Sequence, residues 1–144
     1  MKRLLAMAVL LLALPWQAAF AEVKTFGRYE VHYIIFASDF LRPEIARAYG
    51  IVRANDRAVL NVAVRRLEPA GGSVPIKAKV EGTRSDLVHT RDLELREVIE
   101  EGAIYYLAEF PFRNDETHYF KVRIHPDGDT STLDLQFKQT LYVD

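Results

Sequence analysis

A chain of 144 residues without a cysteine cannot be stapled by disulfides and offers no thiolate as metal ligand or nucleophile. Its 19 basic and 20 acidic residues give a net charge of −1 and are interspersed, which excludes the basic footprint of a nucleic-acid binder.

The first predicted element is a leader. Lys2 and Arg3 precede an unbroken apolar run over residues 4–14, which Pro15 and Trp16 end. A bilayer span needs about twenty apolar residues. The run is too short for that and has the length of a signal-peptide core. Ala19 and Ala21 put small residues at the −3 and −1 positions of a cleavage site. Residues 1–21 are therefore expected to be a cleavable signal peptide and residues 22–144 one domain. No cysteine follows the leader, so no lipid anchor is expected, and no later stretch is apolar enough to span a membrane. Cleavage removes Met1 and Met7, the two methionines, and with them the soft ligands of a Met-based copper site. The periplasm is the expected compartment.

The next signal has period two, the mark of strands with one buried and one wet face. A first run, about 25–36, sets Val31, Tyr33 and Ile35 against Glu30 and His32. Residues 42–50 break the pattern as a short helix. Pro43 suits the first helical position and Gly50 the position past the end. Ile45, Ala48 and Tyr49 share one face of that helix. Six further runs follow, centred on Leu60, Ala78, Leu93, Ala108, Val122 and Leu135, with turn-forming residues at 69–73, 100–102, 114–117 and 126–129. The expected fold is all-β: an antiparallel immunoglobulin-like β-sandwich of about seven strands, with one short helix in the loop after the first strand. Strand one is apolar on both faces near Ile34 and Phe36, so the helix is expected to cover its second face.

Few chemistries survive this inventory. The histidines are His32, His89, His118 and His125, and no H-x-H or H-x-x-x-H pair exists. His118 and His125 fall on opposite faces of a regular strand, and solvated strand-end histidines are the expected account of both. There is no G-x-S-x-G and no phosphate loop. Glu97, Glu100 and Glu101 read as a solvated hairpin tip. No catalytic residue, metal or cofactor is expected.

Several motifs carry a resemblance. Phe26-Gly27-x-Tyr29-x-Val31-His32-Tyr33 is one, and Phe40-Leu41-x-Pro43-Glu44-Ile45-Ala46-Arg47-Ala48-Tyr49-Gly50-Ile51 is another. Arg57-Ala58-Val59-Leu60-Asn61, Ala103-Ile104-Tyr105-Tyr106 and the ending Phe137-x-Gln139-x-Leu141-Tyr142-Val143-Asp144 extend it. Together they resemble a proteobacterial family catalogued as domain of unknown function 4426, small and secreted. The resemblance covers essentially the whole mature chain. It implies no assigned activity and brings no catalytic residues.

The functional expectation is a periplasmic binding or protein-interaction module without catalytic activity. Its expected partner is a periplasmic or envelope protein; the ligand, if small, is unspecified. The candidate surface is the helix-bearing loop, with Phe40 and Arg47, and the wet faces of the first two strands, with Glu30, His32, Arg57 and Asn61. If those strands are neighbours, the last four form one polar patch. Two alternatives stand beside this. One is an enzyme with a carboxylate or histidine in a deep pocket. The other is a chaperone-like accessory that pairs an exposed strand edge with a client.

Overall fold

The computed structural model describes residues 21–144. Residues 1–20, on which the signal-peptide reading rests, lie outside the described residues. Ten strands and one α-helix are formed: β1 (Glu22–Phe26), β2 (Tyr29–Ala37), α1 (Pro43–Tyr49), β3 (Arg57–Leu67), β4 (Ser73–Pro75), β5 (Ala78–Ser85), β6 (Thr90–Leu93), β7 (Arg96–Glu100), β8 (Ala103–Pro111), β9 (Glu116–Pro126) and β10 (Leu133–Leu141).

The strands make two antiparallel sheets. Sheet A has the order β1-β2-β3-β8-β7, with β4 added to the end of β3; sheet B has the order β10-β9-β5-β6. Strands β2-β3-β8-β7 facing β10-β9-β5 reproduce the two-sheet order of an immunoglobulin-like sandwich. β6 is an extra strand on one sheet, β1 an extra strand on the other.

Ten strands stand where seven runs were expected, because three runs are divided. The first is a hairpin: Phe26 pairs with Tyr29, and Gly27 takes a φ of 58° in the first position of the two-residue turn. That pattern matches the twist of the flanking strands. The third run divides at Ile76-Lys77, where the chain leaves β3 and joins β9 in the other sheet. The fourth divides at Glu94-Leu95, where it crosses back. Alternation persists through each break, so periodicity alone does not show it.

The inward faces supply the core. Val31, Leu60, Val62 and Val64 of sheet A meet Phe120, Val122, Ile124 and Leu135 of sheet B, all essentially without solvent exposure. Full burial of side chains this size stabilises by about 1.5–3 kcal/mol each, before entropy is counted. Rings link the layers: Phe110 lies 5.5 Å from Phe120, and Tyr33 lies 4.4 Å from Phe137. Tyr106 Oη accepts the Ala78 N–H at 2.8 Å and donates to Glu97 at 3.2 Å. Burial pushes that phenol up to about 12.

α1 ends as its sequence predicts. Pro43 starts it, and Gly50, with φ 66° and ψ 30°, closes it through N–H bonds to the carbonyls of Ala46 and Arg47. The buried face is a correction. Ala46 is the buried residue, Ile45 and Tyr49 are half-buried, and Ala48 faces solvent. The small Ala46 lets the helix sit close to Val59 and Leu107, which a face centred on Ile45 and Ala48 would not. No helix among the described residues is long and apolar enough to cross a membrane.

Candidate functional site

The outer face of sheet A is built from Glu30, His32, Ile34 and Phe36 of β2, and Arg57, Val59, Asn61 and Ala63 of β3, beside Tyr105, Leu107 and Glu109 of β8. α1 roofs part of it. Ala46, Ile51, Val59 and Leu107 form a second small core, with Phe36, Leu41, Tyr49, Val98 and Tyr105 around it. The helix thus covers the second face of strand one, as expected.

Polar bonds pin the helix-bearing loop. Buried Ser38 donates through Oγ to the Val52 carbonyl at 2.7 Å and accepts the Ala54 N–H at 2.9 Å. Arg53 donates to the carbonyls of Leu41 and Asp39. Tyr49 Oη donates to Glu100, tying α1 to β7. Burial first, then Glu100, holds the Tyr49 phenol far above its usual range. Glu100 is therefore part of the roof and not only of a solvated hairpin tip.

The predicted site residues share this face but are not one patch. β2 and β3 are neighbours, with Glu30 opposite Arg65 and Ile34 opposite Asn61. Glu30 and His32 form a pair, Nε2 to Oε2 3.6 Å. Arg57 lies at the other end of β3, 3.8 Å from Glu109, which also accepts from Arg96 at 3.2 Å. Arg57 and Arg65 are about 27 Å apart at the usual strand rise, so one ligand-sized patch cannot contain both ends. Asn61 sits between them. Phe40 is 41% exposed in the short 3-10 turn Ser38–Phe40, and Arg47 is exposed on α1.

Three buried polar atoms on this face have no hydrogen-bond partner among the described residues: His32 Nε2, Asn61 Oδ1 and Arg57 Nε. Asn61 is only 9% exposed. Buried polar groups are nearly always paired; Asn61 is the enclosed one of the three, while the His32 and Arg57 side chains are each about a third exposed.

Sequence reasoning missed His118. It is fully buried, stacked on Phe120 and tilted against Phe110, so the expectation of a solvated strand-end histidine is wrong for it. Its Nε2 lies 2.5 Å from Glu116 Oε1 yet out of line for a hydrogen bond. Burial holds its imidazole below the ordinary range, against the pull of Glu116. The signal was available: His118 shares parity with Phe120, Val122 and Ile124. His125, on the other face, is half-exposed beside Glu81. Also missed was Asp129, which accepts from Tyr29 at 2.6 Å and Arg28 at 2.9 Å. Those two bonds, with the Ser131 N–H, hold its carboxyl well below the usual range.

Two of the hollows on the surface of the described residues stand out. One, of about 650 Å³, is a trough on the outer face of sheet B, among Glu81, Thr83, Asp92, Lys121, Arg123 and Gln136. The other, of about 420 Å³, lies between the β1–β2 turn and the start of β10. Neither contains His32, Glu30 or Glu97. Among the described residues no three His, Asp or Glu side chains converge as a metal site requires.

The family model described as "Domain of unknown function (DUF4426)" matches residues 23–144. A crystal structure of a DUF4426 family protein from Pseudomonas aeruginosa PAO1 is similar, with 37% identity and a TM-score of 0.73, over 86% of this chain and 96% of that one. A copper-bound variant of FetP from uropathogenic Escherichia coli strain F11 has 12% identity and a TM-score of 0.60, over 86% of this chain and 96% of its own. As-isolated FetP, expressed recombinantly in the E. coli periplasm, has 13% identity and a TM-score of 0.52, over 85% and 92%. At such identity FetP shares the fold alone. No curated protein matches. The family model's span, the sandwich it covers and the relative at 37% identity agree: the chain belongs to the DUF4426 family.

Proposed function

We propose that the chain is exported to the periplasm, loses residues 1–21, and works there as a single-domain, non-catalytic binding module that contacts a protein of the envelope. The contact surface is the outer face of sheet A together with the helix-bearing loop. The observation that supports this reading most is the set of unpartnered atoms there: His32 Nε2, Asn61 Oδ1 and Arg57 Nε. Leaving such a group buried and unpaired costs about 1–3 kcal/mol. A partner that supplies the missing bonds recovers that cost on binding, whereas a fully satisfied face would gain nothing. Exposed Phe40 and Arg47 flank the same face and add an apolar and a cationic contact.

Catalysis is no part of the proposal: Glu30 and His32 line neither the hollow of about 650 Å³ nor that of about 420 Å³. The copper of FetP is not carried over, since twelve-per-cent identity transfers no ligands.

The test has two arms. Alanine variants of Phe40, Arg47 and Asn61 are used as bait in periplasmic extract, with cross-linking to residues of sheet A. Loss of the wild-type partner supports the reading; a partner retained unchanged by all three shows that the surface is wrongly assigned. Mass spectrometry of the exported form reads the first residue. A mature chain that does not start at Glu22 overturns the export argument.

A further inference from the structure

The two sheets do not end flush. β2 stands over β10, as the 4.4 Å contact of Tyr33 with Phe137 shows. β1 is added outside β2, so it extends sheet A by one strand, about 4.8 Å, past the edge of sheet B. Its inward residues Glu22 and Lys24 are exposed, since no strand of sheet B lies beneath them. The hollow of about 420 Å³ opens at one end of this overhang, between Phe26 and Leu133.

β10 borders the gap. It pairs with β9 along all of Leu133–Leu141, and among the described residues no strand pairs with its other edge. Natural sheets blunt such edges with charged side chains, proline, bulges or short strands. β10 carries Asp134 and Lys138 on its outward face, but it is nine residues long, contains no proline and keeps unbroken register. The opposite side of the sandwich is different, because the chain itself crosses there from β6 to β7.

We infer that the slot between β1 and the edge of β10 binds an extended segment of a partner protein as an added antiparallel strand of sheet B. This surface is independent of the outer face of sheet A. The overhang selects the occupant. It leaves room for one strand beneath β1. A second copy docked edge to edge would drive its own β1 into the place of β2.

The chemistry of the segment follows from β10. Leu135 and Phe137 point inward, while Asp134, Gln136 and Lys138 point out. An antiparallel strand centred on Gln136 lays its inward residues beside Leu135 and Phe137 and under Glu22 and Lys24, and takes a cation opposite Asp134 and a carboxylate opposite Lys138. Main-chain bonds give such a complex affinity, and the alternate side chains give it register.

The nonapeptide that copies residues 133–141, Leu-Asp-Leu-Gln-Phe-Lys-Gln-Thr-Leu, has this pattern when it runs antiparallel. Fluorescence anisotropy of the labelled peptide against the purified full chain is the test, with a scrambled peptide beside it. Saturable binding of the copy, at least tenfold tighter than the scramble, is expected. Protein carrying Asp134→Lys is expected to bind it about threefold more weakly, the size of one like-charge cross-strand pair. A peptide whose Lys is replaced by Asp then restores binding to that variant. Both changes lie on an exposed face, and a matched melting temperature shows that the variant folds. Hydrogen exchange is expected to slow at alternate β10 amides on peptide addition. Equal binding of copy and scramble, or no change in β10 exchange, overturns the proposal. So does sedimentation of the free protein as a dimer that Asp134→Lys dissociates, which would assign the edge to a second copy. Peptide binding that survives Asn61→Ala separates this site from the face of sheet A.

Discussion

The outer faces of the two sheets obey the same alternation and come to opposite ends. On sheet B the polar side chains answer one another: Arg123 meets Asp134 at 3.4 Å, and His125 lies 3.5 Å from Glu81. Such exposed pairs contribute little to stability, and they leave little unsatisfied. On sheet A a helix comes down over Val59 and Leu107, and the same face holds His32 Nε2 and Asn61 Oδ1 without hydrogen bonds. A solvated face is stable and inert. A roofed face stores unmet hydrogen-bonding capacity, which is what a binding surface requires.

The sharpest way to break this contrast is Leu107→Ala. If the roof is a packed core, the change costs about 2–4 kcal/mol in urea unfolding. A cost near zero would make the helix a loose cover. Gly82→Ala probes how tightly sheet B closes from within. A Cβ there would stand 2.8 Å from the Lys121 carbonyl oxygen, and the strain is expected to cost about 1–3 kcal/mol. Asn61→Leu is expected to raise stability by about 1 kcal/mol in thermal melts while weakening partner binding, since it removes an unpaired buried amide. If it destabilises instead, Asn61 is already satisfied and the binding argument loses its main support.

A smaller change separates the interior from both faces. His118 is harder to protonate when folded than its ordinary 6.5. The unfolded chain therefore takes the proton first. Stability is complete above that value and falls as pH drops below it. Unfolding midpoints measured from pH 7.5 to 5 should decline in the wild type and less in His118→Leu. Asp129, held low by Tyr29 and Arg28, shifts stability only in the more acid carboxylate range, so the two effects do not overlap. The smallest effect is on sheet B: Arg123→Ala should stay within about 0.5 kcal/mol. A larger loss would mean that its solvated face is not the inert one.

Much of the fold was legible because it is written locally. The parity that buries Leu60, Val62 and Val64 is a property of one strand, and Pro43 and Gly50 bound α1 by backbone preference alone. The candidate site was legible only in part. Glu30, His32, Arg57 and Asn61 do share a face, but periodicity carries no distance between strands. It did not separate Arg57 from the Glu30–His32 pair, nor did it show that Asn61 would be buried with its Oδ1 unpaired. His118 departs from expectation for a related reason: its parity with Phe120, Val122 and Ile124 gives it their face, but alternation does not show that the core extends as far as the start of β9.

What the sequence by itself determined about this chain is its class: an all-β domain without disulfides, one short capped helix, and the family whose motifs it carries. The tertiary structure alone decided where the chain changes sheets, at Ile76-Lys77 and Glu94-Leu95, and that β1 overhangs β10. The reason is physical. Alternation records only that each strand has an inside. Which sheet supplies that inside depends on pairings such as β3 with β8 and β5 with β9, between residues far apart in the chain, whose energy appears only when both layers close on one core.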